Sequence, residues 1–297
     1  MDRRKFIENT GTLCLSALLP ISTYSMPVKN KYKLGLQLFS IHQDMTKDTV
    51  STLKAAKAMG YEDFETFGFD SGKGTYYGYK AIEFKKILED LQITTNSGHY
   101  EFASYLTKSD DDLKRFVEQC IKGAHILDMK YIVWPWIAPD QRTLDNFKLM
   151  AKRLNVIGEQ VTASGIGFAY HNHGFEFIDQ GGENGYDIIL KDTDPSLVKL
   201  QMDMYWVMNS SKHTPKELIS KQPGRYVMWH LKDMDKVTRD YTELGNGSID
   251  YIKILPNPVE SGLKYYYLEQ GGNYANSPMQ SAADNATYLK KHLQQYL

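Results

Sequence analysis

Short apolar runs of strand length alternate along this chain with longer stretches whose apolar positions recur every three or four residues. Strand-like runs begin at Lys33 (KLGLQLF), Glu62 (EDFETF), Gln92 (QITTNSG), Lys130 (KYIVWPW), Ile166 (IGFAYH), Val198 (VKLQMD), Tyr226 (YVMWHL) and Leu263 (LKYYYLE). Between them segments such as TVSTLKAAKAMG, AIEFKKILEDL, DDLKRFVEQCIKGAHILDM and LDNFKLMAKRLNVIGEQVTAS read as amphipathic helices, and QSAADNATYLKKHLQQYL as a closing helix. Eight such alternations predict an α/β protein built as a single (β/α)8 barrel over residues 26–297. The alternative, a doubly wound open sheet, lacks a glycine-rich phosphate fingerprint after its first strand. A length of 297 residues would allow two domains, but no linker or low-complexity run divides the chain.

The first 25 residues break this pattern. MDRRKFIENTGTLCLSALLPISTYS opens with Arg3-Arg4 and continues into an apolar stretch, Gly11 to Ile21, that is too short to span a bilayer. This reads as a secretory leader of the twin-arginine type, residues 1–25, cleaved near Ser25, and it implies a periplasmic protein with no stable membrane insertion. Leu13 before Cys14 argues against a lipoprotein. Without the leader only Cys120 remains, too few for an intrachain disulfide, and its helical apolar context makes it a core residue.

Lys and Arg number 35 against 36 Asp and Glu, a net charge of −1. That balance excludes a basic nucleic-acid footprint. It leaves a small molecule as the expected partner.

In a (β/α)8 barrel the chemistry sits where the strands end, at the C-terminal rim. The last four strands end in ionisable side chains: His171 and His173 on the fifth, Asp203 on the sixth, His230 on the seventh and Glu269 on the eighth. A buried carboxylate is costly unless paired or coordinated. Singly, each of these has an ordinary structural explanation; four consecutive strands delivering them to one rim point to a divalent cation. A mixed nitrogen and oxygen set suits Mn²⁺, Co²⁺, Zn²⁺ or Fe²⁺. Strand alternation places His171 and His173 on one face. Lys232, two residues after His230, should also face the mouth, to stabilise an oxyanion or to pair with Asp233. Glu65 and His99 end the second and third strands and are candidates to contact substrate hydroxyls. Tyr205 and Trp206 are candidates to stack on a sugar; Phe39, Trp134 and Trp136 read as core aromatics.

The segments GLQLFS, SGHY, YHNHGFEF, MDMYW, WHLKD, LGNGSIDY and YYYLEQ resemble those of the xylose isomerase-like sugar isomerases and epimerases. That barrel superfamily also contains tagatose epimerases, inosose dehydratase and endonuclease IV. The resemblance covers nearly all of the chain after the leader. It implies one divalent metal, Mn, Co or Zn, held by Asp203, His230 and Glu269, with Glu269 also near the chemistry. Many relatives carry glutamate on the fifth strand as ligand and base, where this chain has His171. His171 is then the fourth expected ligand and Glu176 a carboxylate that could swing back as base. His173 matches a histidine that moves protons in dehydratase and lyase relatives. Homo-oligomers are common among such relatives.

The expected function is metal-dependent chemistry on a sugar or keto-sugar through an enediolate or enolate: isomerisation, epimerisation, or elimination or hydration on a 3-keto-glycoside. Histidine in place of the fifth-strand glutamate favours elimination, and export disfavours phosphorylated sugars. Two other readings remain: a non-catalytic periplasmic sugar-binding barrel, and an endonuclease IV-like nuclease. The first has no need of the three metal-ligand side chains, and the second wants more ligands on the early strands and a basic groove.

Overall fold

The computed structural model describes residues 31–297, so the expected leader, residues 1–25, lies outside the described residues. Eight parallel strands form one sheet: β1 (Gly35–Gln37), β2 (Asp63–Glu65), β3 (Ser97–His99), β4 (Tyr131–Trp134), β5 (Gly167–His171), β6 (Val198–Asp203), β7 (Tyr226–Leu231) and β8 (Tyr265–Leu268). Neighbouring strands pair in chain order, and β8 returns to β1. Two parallel bridges, Asp63 to Thr94 and Thr66 to Gly98, bring β2 against β3 and make the sheet a nearly closed barrel. This is the TIM barrel that the alternation predicted.

Each strand-like run of the sequence contains a barrel strand, although QITTNSG pairs mainly at its end, from Ser97. The long helices lie where the periodicity put them, Asp110–Ile126 and Leu144–Ala163 among them. Side-chain caps start both: Ser109 accepts from the Asp112 N–H and Thr143 from the Asn146 N–H. Cys120 is fully buried in the layer between helices and strands, as its context required. No described helix is long and apolar enough to cross a membrane.

The barrel interior is small and distinct from the outer core. Val133, Ala169, Val227, Met228 and Tyr267 form a cluster of their own. Gly35 is required by this closeness: a Cβ there would meet the Tyr266 carbonyl oxygen at 2.2 Å and the Tyr267 ring at 2.6 Å. Above this plug, the inward side chains become polar, and the candidate site begins.

Candidate active site at the C-terminal rim

The last inward residues of β5 to β8 and their extensions converge. His171, Asp203, His230 and Glu269 each offer one donor atom, and these atoms lie within 4.8 Å of one another; all four residues are buried. The surrounding structure directs them there. Asn172, on the opposite face of β5, clamps β6 by accepting from the Asp203 N–H at 3.1 Å and donating to its carbonyl at 3.3 Å. Asp203 caps the helix Met204–Ser210, its Oδ1 accepting from the Trp206 N–H. Its Oδ2 is left inward, where it accepts no well-aligned hydrogen bond although Lys232 Nζ lies 2.6 Å away.

Lys232 does not pair with Asp233. Its ammonium reaches inward, 2.6 Å from Asp203 and 2.8 Å from Glu269 Oε2. Asp233 instead faces the following loop and accepts from the N–H groups of Gly245, Gly247 and Ile249. A Cβ at Gly247 would lie 2.1 Å from Asp233 Oδ1, so the LGNGSIDY segment is a backbone cradle for that carboxylate. The Tyr251 hydroxyl adds bonds to both the N–H and the carbonyl of Lys232.

A second polar layer lies beneath. Glu65 is fully buried, with Oε1 accepting from Ser97 and Gln201 at 2.6 Å each and Oε2 accepting from Gln37 at 2.7 Å. His230 Nε2 meets Glu65 Oε2 at 2.5 Å, while His230 Nδ1 faces Glu269 at 2.7 Å. His99 Nε2 bonds Gln201 Oε1 at 2.7 Å and lies 3.2 Å from Glu65. Glu65 is therefore not placed to contact a substrate, contrary to the sequence expectation; its position in this second layer makes it the group that orients His230 and His99. Gln37 and Gln201 were missed altogether. Their signal was a glutamine inside an apolar strand, in GLQLF and KLQMD, because a buried amide must find partners.

Charge in this pocket is set by burial and by neighbours. Burial disfavours charge on Glu65, but His99 and His230 outweigh it and hold its carboxyl well below the usual range. Burial likewise opposes charge on Glu269, and Lys232 and His230 hold its carboxyl low. Burial raises Asp203, with Lys232 pulling the other way. His230 is pushed up to about 9 by Glu65 and Glu269 against the effect of burial. Burial and the neighbouring cationic groups drive His171 well down, and burial and Lys232 take His173 down to about 3, so both are neutral imidazoles.

The remaining expectations divide. His173 stands beside the group, its ring 5.0 Å from His171 and 5.7 Å from Trp206. Glu176 is not in the group and does not swing into it. Tyr170, which points away from the barrel axis, donates to Glu176 at 2.6 Å, and the His173 N–H donates to both its oxygens at 2.9 Å. Glu176 thus locks the turn after β5 from outside. Tyr205 is also structural: it is buried and donates to the Arg239 carbonyl at 2.9 Å. The aromatic residues that do stand open at the mouth are Phe39, 41% exposed, and Trp136, 36% exposed, which the sequence reading had assigned to the core. Only Trp134 of that set is buried.

A cavity of about 440 Å³ opens over this rim, its wall including His99, His171, His173, Glu269, Phe39 and Trp136. A larger recess of about 650 Å³, bounded by Lys216, Pro256 and Tyr296 among others, lies outside the barrel and contains none of the strand-end residues.

The donors present fit a divalent ion. Two carboxylates and two neutral or neutralisable imidazoles converge, Asp203 Oδ2 lacks an aligned donor, and His230 has its far nitrogen held by a carboxylate in the manner of metal-binding histidines. A family model described as xylose isomerase-like TIM barrel matches residues 53–290, and the chain belongs to that family. The structure of a sugar phosphate isomerase/epimerase from Parabacteroides distasonis ATCC 8503 is similar, with 27% identity and a TM-score of 0.74 over 89% of this chain and 99% of that one. An IOLI protein structure with a bound zinc atom shares the fold at 14% identity and a TM-score of 0.68, over 89% and 99%. An inosose dehydratase of Clostridium botulinum (strain Alaska E43 / Type E3) is 28% identical over 167 residues, 50% of this chain and 55% of that protein. The chain thus spans about half the length of the curated relatives it matches.

Proposed function

We propose that this protein is a divalent-metal-dependent enzyme that enolises a keto-sugar and directs the enolate to elimination of a neighbouring oxygen, as a dehydratase or lyase. The observation that carries this reading is the convergence of His171, Asp203, His230 and Glu269 within 4.8 Å, beside an uncommitted His173, at the floor of an open cavity. The similarity to proteins named inosose dehydratase and sugar phosphate isomerase/epimerase supports the same chemistry.

His171, Asp203, His230 and Glu269 would hold the divalent ion, which would supply Lewis acidity to the carbonyl of a hydroxy-ketone. His173 lines the cavity beside the group, its ring 5.0 Å from His171, so its imidazole is placed to take the proton from the carbon beside the carbonyl and return it to the departing oxygen. Lys232 keeps Asp203 and Glu269 neutralised and places an ammonium where negative charge builds on the substrate oxygens. Glu65 fixes the His230 ring, leaving Nδ1 toward the group. His99 and Trp136 border the cavity and contact the sugar. Isomerisation and epimerisation need the same first step, and they diverge in where the proton is returned.

The test is elemental analysis of the leaderless protein and its Asp203→Ala and His171→Ala variants, followed by deuterium exchange into keto-sugars. About one ion per chain, lost in the Asp203 variant, with exchange at the carbon beside the carbonyl, is expected. Failure to bind Mn²⁺, Co²⁺ or Zn²⁺ would reject the mechanism.

We further propose that the twin-arginine leader exports the protein to the periplasm. The support is the Arg3-Arg4 pair and the short apolar stretch after it. Cell fractionation and N-terminal sequencing of the mature chain test this, and an uncleaved cytoplasmic product would reject it. Homo-oligomerisation, a further expectation, is tested by light scattering.

A further inference from the structure

The central cavity has a neighbour. A second cavity of about 400 Å³ lies against it, and Trp136 and His173 line both, so the two are lobes separated by those side chains. The outer lobe is walled by Phe175, Ile178 and Trp206, with Arg142 at its edge. Three features distinguish it from a solvent-filled crevice. Ile178 is 59% exposed and Trp136 36%, leaving large apolar surface facing the lobe without cover. Among the described residues the buried Trp206 indole N–H finds no hydrogen-bond partner. Arg142 stacks over Phe175, its Cζ 3.9 Å from the ring centre, and lies 5.6 Å from the Trp136 ring centre.

The bonding of Arg142 leaves part of it unused. Nε and Nη2 both donate to the Ile137 carbonyl, at 3.3 and 3.2 Å. Among the described residues no carboxylate lies within 4.0 Å of it, so its Nη1 donors remain for a ligand. Aromatic faces next to an anchored fork of N–H donors suit a ring with flat apolar faces and oxygens around its edge.

We propose that the outer lobe binds the ring attached to the anomeric oxygen of a glycoside, so that the substrate is a two-ring glycoside and not a free sugar. The inference rests on the reading of the central cavity as a sugar site and deepens it. The glycone lies over the four strand-end residues, the linking oxygen passes His173, and the second ring stacks in the outer lobe with its edge oxygens toward Arg142. A second pyranose and a phenolic ring share this chemistry.

The test is binding measured by saturation-transfer NMR and calorimetry on the metal-supplemented protein. The probes are D-glucose, D-galactose and D-xylose, their methyl glycosides, their phenyl α- and β-glycosides, and maltose, cellobiose and lactose, each also supplied as its 3-keto derivative. A two-ring probe should bind at least tenfold more tightly than its one-ring parent. Preference for phenyl glycosides or for disaccharides identifies the second ring. Arg142→Ala and Ile178→Asp, at residues that line the outer lobe and not the central cavity, should cut that ratio to below threefold, with circular dichroism confirming the fold. One-ring sugars binding as well as their two-ring derivatives, or a ratio that survives both variants, would overturn the proposal. Absence of binding by every sugar would reject the sugar reading itself, and this inference with it.

Discussion

Glu65 and His230 are 165 positions apart in the chain, yet their side chains meet at 2.5 Å beneath the rim of the barrel. The contact uses the His230 nitrogen that faces away from Asp203 and Glu269. It therefore fixes the ring and the tautomer that presents Nδ1 to the group. Partners of this kind tune metal affinity by about 10–100-fold when they are removed. Glu65→Gln keeps the shape and removes the charge, and should weaken binding of Mn²⁺ or Zn²⁺ by that factor in a chelator competition assay. Equal affinity in variant and parent would separate Glu65 from the site.

Lys232 sets up the opposite experiment. Its ammonium lies between Asp203 and Glu269, and removing one member of a buried ion pair costs about 3–5 kcal/mol. Lys232→Met should unfold at a lower temperature than the parent after chelation. Added Mn²⁺ should then raise the melting temperature more in the variant than in the parent, because two carboxylates await a cation. A variant as stable as the parent without metal would contradict this.

Glu176 yields a pH signature. Burial raises its pKa from 4.5 to about 7, against hydrogen bonds from Tyr170 and the His173 N–H. The folded state therefore holds a proton that the unfolded chain releases near 4.5. The group's contribution to stability is fully present below that value and is lost as pH rises through about 7. Glu176→Gln cannot ionise. The stability of the parent relative to this variant should fall between pH 4.5 and 7 and level off above, in denaturant titrations run at each pH. Metal content should match the parent in both. A flat difference would show that the carboxyl titrates normally.

Tyr205→Phe removes a hydrogen bond to the Arg239 carbonyl and nothing that faces the cavity. It should cost about 1 kcal/mol of stability and leave sugar binding as in the parent. A loss of sugar affinity would return Tyr205 to the substrate site.

The strand-end residues were legible because period-two alternation tells which side chains of one strand share a face. His171, Asp203, His230 and Glu269 could thus be placed on one rim before any contact was known, and the structure does bring them together. Glu176 was misplaced because it follows the strand, where alternation no longer applies; the turn carries it behind Tyr170. Tyr205 and Trp206 are adjacent, and only the helix that begins at Met204 decides that Tyr205 turns into the structure while Trp206 borders a cavity.

The sequence by itself determined the eight strand–helix units, hence the barrel, and which strand ends carry ionisable groups. Local periodicity suffices for both, since each is a property of a few consecutive residues. Only the tertiary structure decided which of those groups touch. Closure of the barrel puts Glu65 and His99 from the early strands against His230 and Gln201 from the late ones, contacts across more than 100 residues that no local pattern encodes. The same closure turned Lys232 from its neighbour Asp233 toward Asp203 and Glu269, because a buried ammonium goes where two carboxylates converge.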